Sequence, residues 1–293
     1  RAVGRQRAAN RWRSGIGAAL SAWSAVRRKK DSSVSRAVDL VKRGQADAIV
    51  SAGHTGATVA ASTIKLRTLP GIDRPGIAAV LPTETNVFVL IDAGANIDAR
   101  PEHLLQYAFM GSVYSRHVLH YKNPTVGLVS LGDEDVKGTE LTKEVFKMLR
   151  PSSLNFVGNI EGRHLFEDPV EVVVCDGFVG NVILKTCESI AVAMFQWLKH
   201  ELMRTTMRKA GAFLSRKAIG TIKDKTNYEE YGGSPLLGVN GICIIAHGAS
   251  TPLAIKNALR VAAESIEQQV NPHIVEEIRR YYETTASLEP ALR

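Results

Sequence analysis

Residues 171–190 read EVVVCDGFVGNVILKTCESI, a strand that passes through an acidic residue and a Gly-x-x-Gly-Asn turn straight into a helix. Val172, Val173 and Val174 supply a β-branched run and Asp176 ends it. Gly177 and Gly180 then permit a backbone path or close approach that a side chain forbids. The same order recurs at residues 46–62, ADAIVSAGHTGATVAAS, and at residues 86–108, NVFVLIDAGANIDARPEHLLQYA. Three strand-turn-helix units constrain the chain to an α/β fold. In a parallel sheet each such turn lies at the carboxyl edge of its strand, so the three are expected to converge on one crevice. The helix N-termini offer free N–H groups and positive dipole ends, a place for an anion and for phosphate above all. No turn matches G-x-G-x-x-G or G-x-x-x-x-G-K-[ST], so a Rossmann fingerprint and a Walker loop are both absent.

From Ser32 onward helix and strand alternate. SSVSRAVDLVKRG predicts a helix with a serine cap and Gly44 as its stop, followed by the strand ADAIVSAG. Further strands are expected at GIAAVLP, NVFVLIDAG, TVGLVSLG, NFVGNI, VEVVVCDG and NGICIIAHG. Helices are expected at TGATVAASTIKL, PEHLLQYAFMGSVYSRHV, GTELTKEVFKML, residues 181–203 and residues 251–269. This alternation predicts a mostly parallel sheet covered on both faces.

The net charge of +8 on 293 residues suggests nucleic acid until its distribution is read. Residues 1–30 carry nine Lys and Arg and no acid, which leaves the remaining 263 residues at −1. With few aromatic residues to stack bases, nucleic-acid binding is not expected. No apolar run is read as reaching the roughly 20 residues of a membrane span, and no secretory signal opens the chain, so the expected address is the cytoplasm. Cys175, Cys187 and Cys243 lie in apolar segments without C-x-x-C spacing, which indicates neither a disulfide framework nor a zinc site. Residues 1–24, rich in Arg, Ala, Gly and Trp, are expected to stand outside the native fold.

One segment breaks the alternation. Residues 195–226 predict a protruding helical hairpin with its tip near Gly211, where Phe213 and Leu214 are flanked by Arg208, Lys209, Arg216 and Lys217. A small apolar tip with a basic collar suits an anionic membrane surface; a solvated hairpin or a dimer contact is the plainer reading. Downstream, YEEYGGSPLLGVNGICIIAHGAS combines Gly232, Gly233 and Gly238, read as a flexible phosphate-accommodating loop, with Asn240. His247, Gly248 and Ser250 follow where a strand hands over to a helix.

These blocks, AVRRKKDSS, SAGHTGA, DRPGIAAVLPT, DAGAN, GNIEGR, DGFVGNVILKT, YGGSPLLGVNG and HGAS, resemble in order those of the bacterial phosphate acyltransferases of the PlsX type, from about Ala25 to about Gln269. The resemblance implies transfer of a fatty acyl group from acyl-acyl-carrier protein to inorganic phosphate. It implies a three-layer α/β/α sandwich like that of isocitrate and isopropylmalate dehydrogenases, a homodimer, and peripheral membrane association. A glycerol-3-phosphate acyltransferase becomes a candidate partner. Two departures stand out. His54 replaces the asparagine usual in the family's Ser-Ala-Gly-Asn-Thr-Gly turn. The family's opening Asp-Ala-Met-Gly-Gly-Asp strand is not found, so a core strand and one wall of the site are expected to be missing if the chain is complete.

The implied chemistry uses phosphate as its own nucleophile, so no acylated side chain, metal or redox cofactor is needed. The protein must hold a dianion beside a thioester and stabilise the tetrahedral oxyanion. Backbone N–H groups at Gly53, Thr55, Gly56, Gly177 and Gly180 are candidates for the dianion, with His54, Gly232, Gly233, Asn240 and Ser250 as further binding residues. Asn96, Asn181, Lys185 and His247 are candidates for polar contacts, with Asp92 and Asp176 orienting them. Arg27, Arg28, Lys29 and Lys30 form the expected docking patch for an acidic carrier protein. The alternatives are phosphotransacetylase-like exchange between acyl-CoA and phosphate, and an inactive fragment that retains membrane or partner binding. A decarboxylating dehydrogenase is disfavoured by the lack of an Asp cluster for Mg²⁺.

Overall fold

The computed structural model describes Val26 and residues 31–167, 170–226 and 228–288. Strands β1 (Ala48–Ser51), β2 (Gly76–Pro82), β3 (Val87–Ile91), β4 (Thr125–Val129), β5 (Asn155–Ile160), β6 (Val172–Val174), β7 (Ser234–Leu237) and β8 (Ile242–Ile245) form one sheet in the order β1-β8-β7-β2-β3-β6-β4-β5. Helices α1 (Ser33–Lys42), α2 (Thr55–Lys65), α3 (Pro101–His117), α4 (Glu140–Leu149), α5 (His164–Glu167), α6 (Gly177–Leu202), α7 (Thr206–Leu214), α8 (Arg216–Lys225), α9 (Pro252–Glu267) and α10 (Val270–Leu288) complete the described elements, with a 3₁₀ turn at Tyr228–Tyr231.

The expected start and stop signals operate. Ser32 caps α1 by accepting the Ser35 N–H, and Gly44 leaves it at φ 67°. Strand alternation sorts the two faces. Ile77 and Ala79 of β2 pack with Val59, Ala60 and Val38 under α1 and α2. Their neighbours Ala78 and Val80 enter the larger core, with Tyr107, Phe109, Met110 and Tyr114 of α3 and with Val145 and Leu149 of α4. Each fully buried aromatic of α3 contributes about 2 kcal/mol or more of hydrophobic stabilisation. Helix α9 covers β8 through Ala258 and Val261, while Val179, Ile183 and Leu184 of α6 cover β3 and β6. The result is the expected three-layer α/β/α arrangement with a mostly parallel sheet.

Its centre departs from the simple alternation. The β1–β8, β3–β6, β6–β4 and β4–β5 pairs are parallel, whereas β8–β7, β7–β2 and β2–β3 are antiparallel. Strand β1 therefore runs opposite to β3 and β6, and the three glycine turns do not share one carboxyl edge. The turn after β1 and those after β3 and β6 instead approach from opposite edges of the sheet.

Two further expectations are corrected. The helix break lies at Ser215, between α7 and α8, and Gly211 lies inside α7. Helix α6, 26 residues long, is long and apolar enough to cross a membrane by composition, which the sequence reading passed over.

Candidate active site

A cleft of about 130 Å³ lies on the face of β2, between the start of α2 and the side of α6. Ile77, Ala79 and Leu81, alternate residues of β2, make an apolar floor. One wall carries Thr55, His247 and Ser250; the other carries Asn181, Leu184, Lys185 and Glu188. The spacing 181, 184, 185, 188 is that of one helix face, so α6 presents an amide, a cation and a carboxylate to the same space. Gly233 and Ser234 line the cleft where β7 begins, beside Ile245 and Ala246 at the end of β8.

The two helix starts behave differently. At α2 the His54 ring acts as the cap, its Nδ1 accepting the Ala57 N–H at 3.3 Å, so His54 performs the task asparagine performs in such a position. Ala57 and Thr58 also donate to the His54 carbonyl, and the N–H groups of Thr55 and Gly56 open the helix. The Gly53 N–H turns back to the Ser51 hydroxyl at 3.4 Å. An anion in the cleft meets this helix end at Thr55.

At α6 the Asp176 carboxylate takes the N–H groups of Phe178 and Val179 at 2.9 and 3.0 Å, the Gly177 N–H goes to the Asn96 carbonyl, and the Gly180 N–H to that of Asp176. Gly177, Gly180 and Asp176 therefore do not form the expected phosphate cradle: their donors are spent and a fixed negative charge sits at the helix start. The glycines are there for contact. A Cβ at 177 would lie 2.7 Å from the Asn96 carbonyl oxygen, and one at 180 would overlap the Asp92 carbonyl.

Asp92 and Asn96 are corrected in the same way. The fully buried Asp92 carboxylate accepts four backbone N–H groups, from Ile77 at 2.9 Å, Gly94 at 3.0 Å, Ala95 at 2.9 Å and Asn96 at 2.6 Å. Burial nonetheless holds its pKa up at about 6, desolvation outweighing the four donors. Asp92 ties the start of β2 to the turn after β3 and touches no substrate space. The Asn96 amide turns toward α3, donating to His103 Nδ1 at 3.2 Å and to the Tyr107 hydroxyl at 3.4 Å. Burial and the Arg100 charge depress the His103 pKa.

Gly232 and Gly238 are tight turns at the ends of β7, at φ 86° and 87°, pressed against the Asn257 carbonyl and the Met110 sulfur, not a flexible loop. Asn240 donates its N–H to the Arg67 carbonyl at the opposite ends of β7 and β8 from the cleft. Arg27, Arg28, Lys29 and Lys30 lie outside the described residues, as do residues 1–25.

Of the residues expected to carry chemistry, Asn181, Lys185 and His247 share the cleft. His247 Nδ1 accepts the Ala249 N–H at 3.2 Å, which places the proton of the neutral ring on Nε2 and makes that nitrogen a donor. Lys185 Nζ is held by Glu188 Oε2 at 2.7 Å. Glu188 escaped the sequence reading, although its position seven residues after Asn181 is the helical signal that finds it.

A family model described as a fatty acid synthesis protein matches residues 14–273. The phosphate acyltransferase of Desulfitobacterium hafniense is 52% identical over 258 residues, which is 88% of this chain and 77% of that protein. That of Pelotomaculum thermopropionicum is 50% identical over 260 residues, 89% of this chain and 75% of the relative. Among solved structures, a phosphotransacetylase from Streptococcus pyogenes matches with a TM-score of 0.51 at 19% identity, over 78% of this chain and 66% of that one; the likeness is one of fold. By the extent of the family match and by half-identical relatives along most of its length, this chain belongs to the phosphate acyltransferase family of enzymes.

Proposed function

We propose that the cleft between α2 and α6 transfers a fatty acyl group from the thioester of an acyl-acyl-carrier protein to inorganic phosphate, giving an acyl phosphate for phospholipid synthesis. The observation that carries this reading is the meeting of anion donors on both walls with an apolar floor. Phosphate sits at the start of α2, near Thr55, Gly56 and Ser250, with the Lys185 ammonium across the cleft. A phosphate oxygen attacks the thioester carbon; the C–O bond forms, the C–S bond breaks, and the phosphate proton ends on the departing thiol. The Asn181 amide and His247 Nε2–H stabilise the tetrahedral oxyanion, and such donors are each worth about 10²–10³ in rate. Asp176 caps the helix that carries Asn181 and Lys185, and Asp92 fixes the turn on which that helix packs.

The test compares donors. Purified chain is given palmitoyl-acyl-carrier protein or palmitoyl-CoA with phosphate, and acyl phosphate is trapped with hydroxylamine. Preference for the carrier thioester supports the proposal. Preference for the coenzyme A thioester replaces it with phosphotransacetylase-like exchange, and no turnover in a folded sample replaces it with the inactive-fragment reading.

In the same reading residues 25–293 are the acyltransferase unit, a cytoplasmic enzyme, and Arg27, Arg28, Lys29 and Lys30 attract the acidic carrier protein. The α7–α8 junction is its peripheral membrane contact: Phe213 and Leu214 are 65% and 82% exposed, and the Arg216 guanidinium lies 4.4 Å over the Phe213 ring. Although α6 has the composition of a span, its second to fourth turns wall the cleft, which supports surface contact over crossing. The exposed Ile190, Met194 and Trp197 farther along α6 support a homodimer built on that helix. Surface contact would also bring the acyl phosphate to a membrane-bound glycerol-3-phosphate acyltransferase.

A further inference from the structure

Helix α10 is the last described element and is docked by two kinds of contact. Val270, Ile274 and Ile278, four residues apart, are almost wholly buried in the main core, and Tyr281 meets the Phe109 ring at 5.1 Å. Along its edge, Glu277 binds Arg116 at 2.9 Å, the Gln106 amide donates to the Tyr282 hydroxyl at 3.1 Å, and the Asn271 amide donates to the Val239 and Gly241 carbonyls. Between these contacts the His117 ring at the end of α3 lies flat on the His273 ring of α10, centroids 3.9 Å apart and planes 13° apart.

Stacked neutral imidazoles attract by dispersion and polar contact, whereas two imidazolium rings at this spacing repel. The groups acting on His117 are His273 and Glu277 from α10 and Arg116 from α3, and of these only Glu277 favours its proton. Glu277 and Arg116 are bound to each other, so that carboxylate is already committed and Arg116 adds positive charge. On the outer side Glu276 is taken by Arg279 and Arg280. Glu277, the carboxylate that acts on His117, thus already shares its charge with Arg116.

We propose that the His117–His273 stack is a pH-sensitive latch on α10, closed when both rings are neutral and opened when they are protonated in mildly acidic solution. Burial and the charges of His273 and Arg116 depress the His117 pKa, which agrees in sign: docking is intact above the ordinary histidine value of 6.5 and weakens as pH falls below it. Opening frees the Asn271 amide from the turn joining β7 and β8, the two strands whose other ends bring Ser234 and Ile245 to the cleft. The latch stands independently of the reaction assigned to that cleft.

The test is hydrogen exchange on the whole chain at pH 7.5 and 5.5, corrected for intrinsic exchange, for the wild type and for His273→Phe, which keeps a flat ring without the proton. Protection across residues 270–281 is expected to fall about tenfold or more in the wild type and to change little in the variant. Equal protection at both pH values in the wild type, or the same fall in the variant, overturns the proposal. Should the variant not fold, proton NMR titration of the two wild-type rings decides. Coupled titration of the rings with the His117 midpoint below 6.5 supports the latch, and independent titration with an ordinary His117 midpoint overturns it.

Discussion

The carbonyl oxygen of Asp92 occupies the space that a Cβ at Gly180 would need. This contact sets how closely α6 approaches the turn after β3, and so fixes Asn181 and Lys185, on the first turns of α6, relative to the floor of β2. Gly180→Ala is expected to cost about 2 kcal/mol or more in urea unfolding, since neither backbone can yield. The control is Gly211→Ala in α7, where a new Cβ meets nothing within 4 Å. That change is expected to stabilise by about 0.5–1 kcal/mol. Similar effects at the two sites would contradict the account of α6.

Asp92 makes stability depend on pH. Its folded pKa, about 6, lies above its ordinary 3.8, so the folded state binds this proton more tightly than the unfolded state does. The stabilisation by that proton is full below 3.8 and is lost as pH rises through about 6. Asp92→Asn removes the term, so its penalty relative to wild type should shrink by about 1 kcal/mol between pH 5 and pH 8. Denaturant midpoints at the two values check this, and a constant penalty contradicts it.

His54 serves as the cap of α2. His54→Ala is expected to lose about 1 kcal/mol, while His54→Asn restores the cap and returns the unfolding midpoint to the wild-type value or above. If alanine and asparagine behave alike in thermal or urea unfolding, the ring is not acting as a cap.

Lys185 and Glu188 oppose each other in the cleft. Lys185→Ala is expected to lower kcat/KM for phosphate about tenfold or more. Glu188→Gln releases the ammonium and removes a charge that repels phosphate, so KM for phosphate should fall about threefold with kcat nearly unchanged. A rise in KM on Glu188→Gln would show that the carboxylate instead holds Lys185 in its working position.

All the described strands but β7, and most helices, were legible because their periodicities are local: Val172–Val174 and the face Asn181, Leu184, Lys185 of α6 need no distant information. The antiparallel centre was not. Strand β7 is Ser234–Leu237, four residues with a proline between glycine turns, and those residues spell a loop until β8 and β2 pair with them. The tight β2–β3 connection, closed by Thr83 and Asn86, leaves no room for a crossover helix and so makes these two strands an antiparallel pair. With the direction of β1 inverted relative to β3, the shared carboxyl edge became a cleft across the sheet face. Gly177 and Gly180 were recognisable as special, but a glycine needed for close packing and one needed for an anion look alike in sequence. Which it is depends on Asp92, more than 80 residues away.

The cleft between α2 and α6 is proposed to pass an acyl group to phosphate. The most direct measurement is hydroxylamine-trappable acyl phosphate formed from an acyl-carrier thioester, with and without added phosphate, by the wild type and by the Asn181→Ala, Lys185→Ala double variant at matched unfolding midpoints. Phosphate-dependent turnover is expected in the wild type, with a loss of about 100-fold or more in the double variant. Turnover that ignores phosphate, or a double variant as fast as the wild type, would contradict this role.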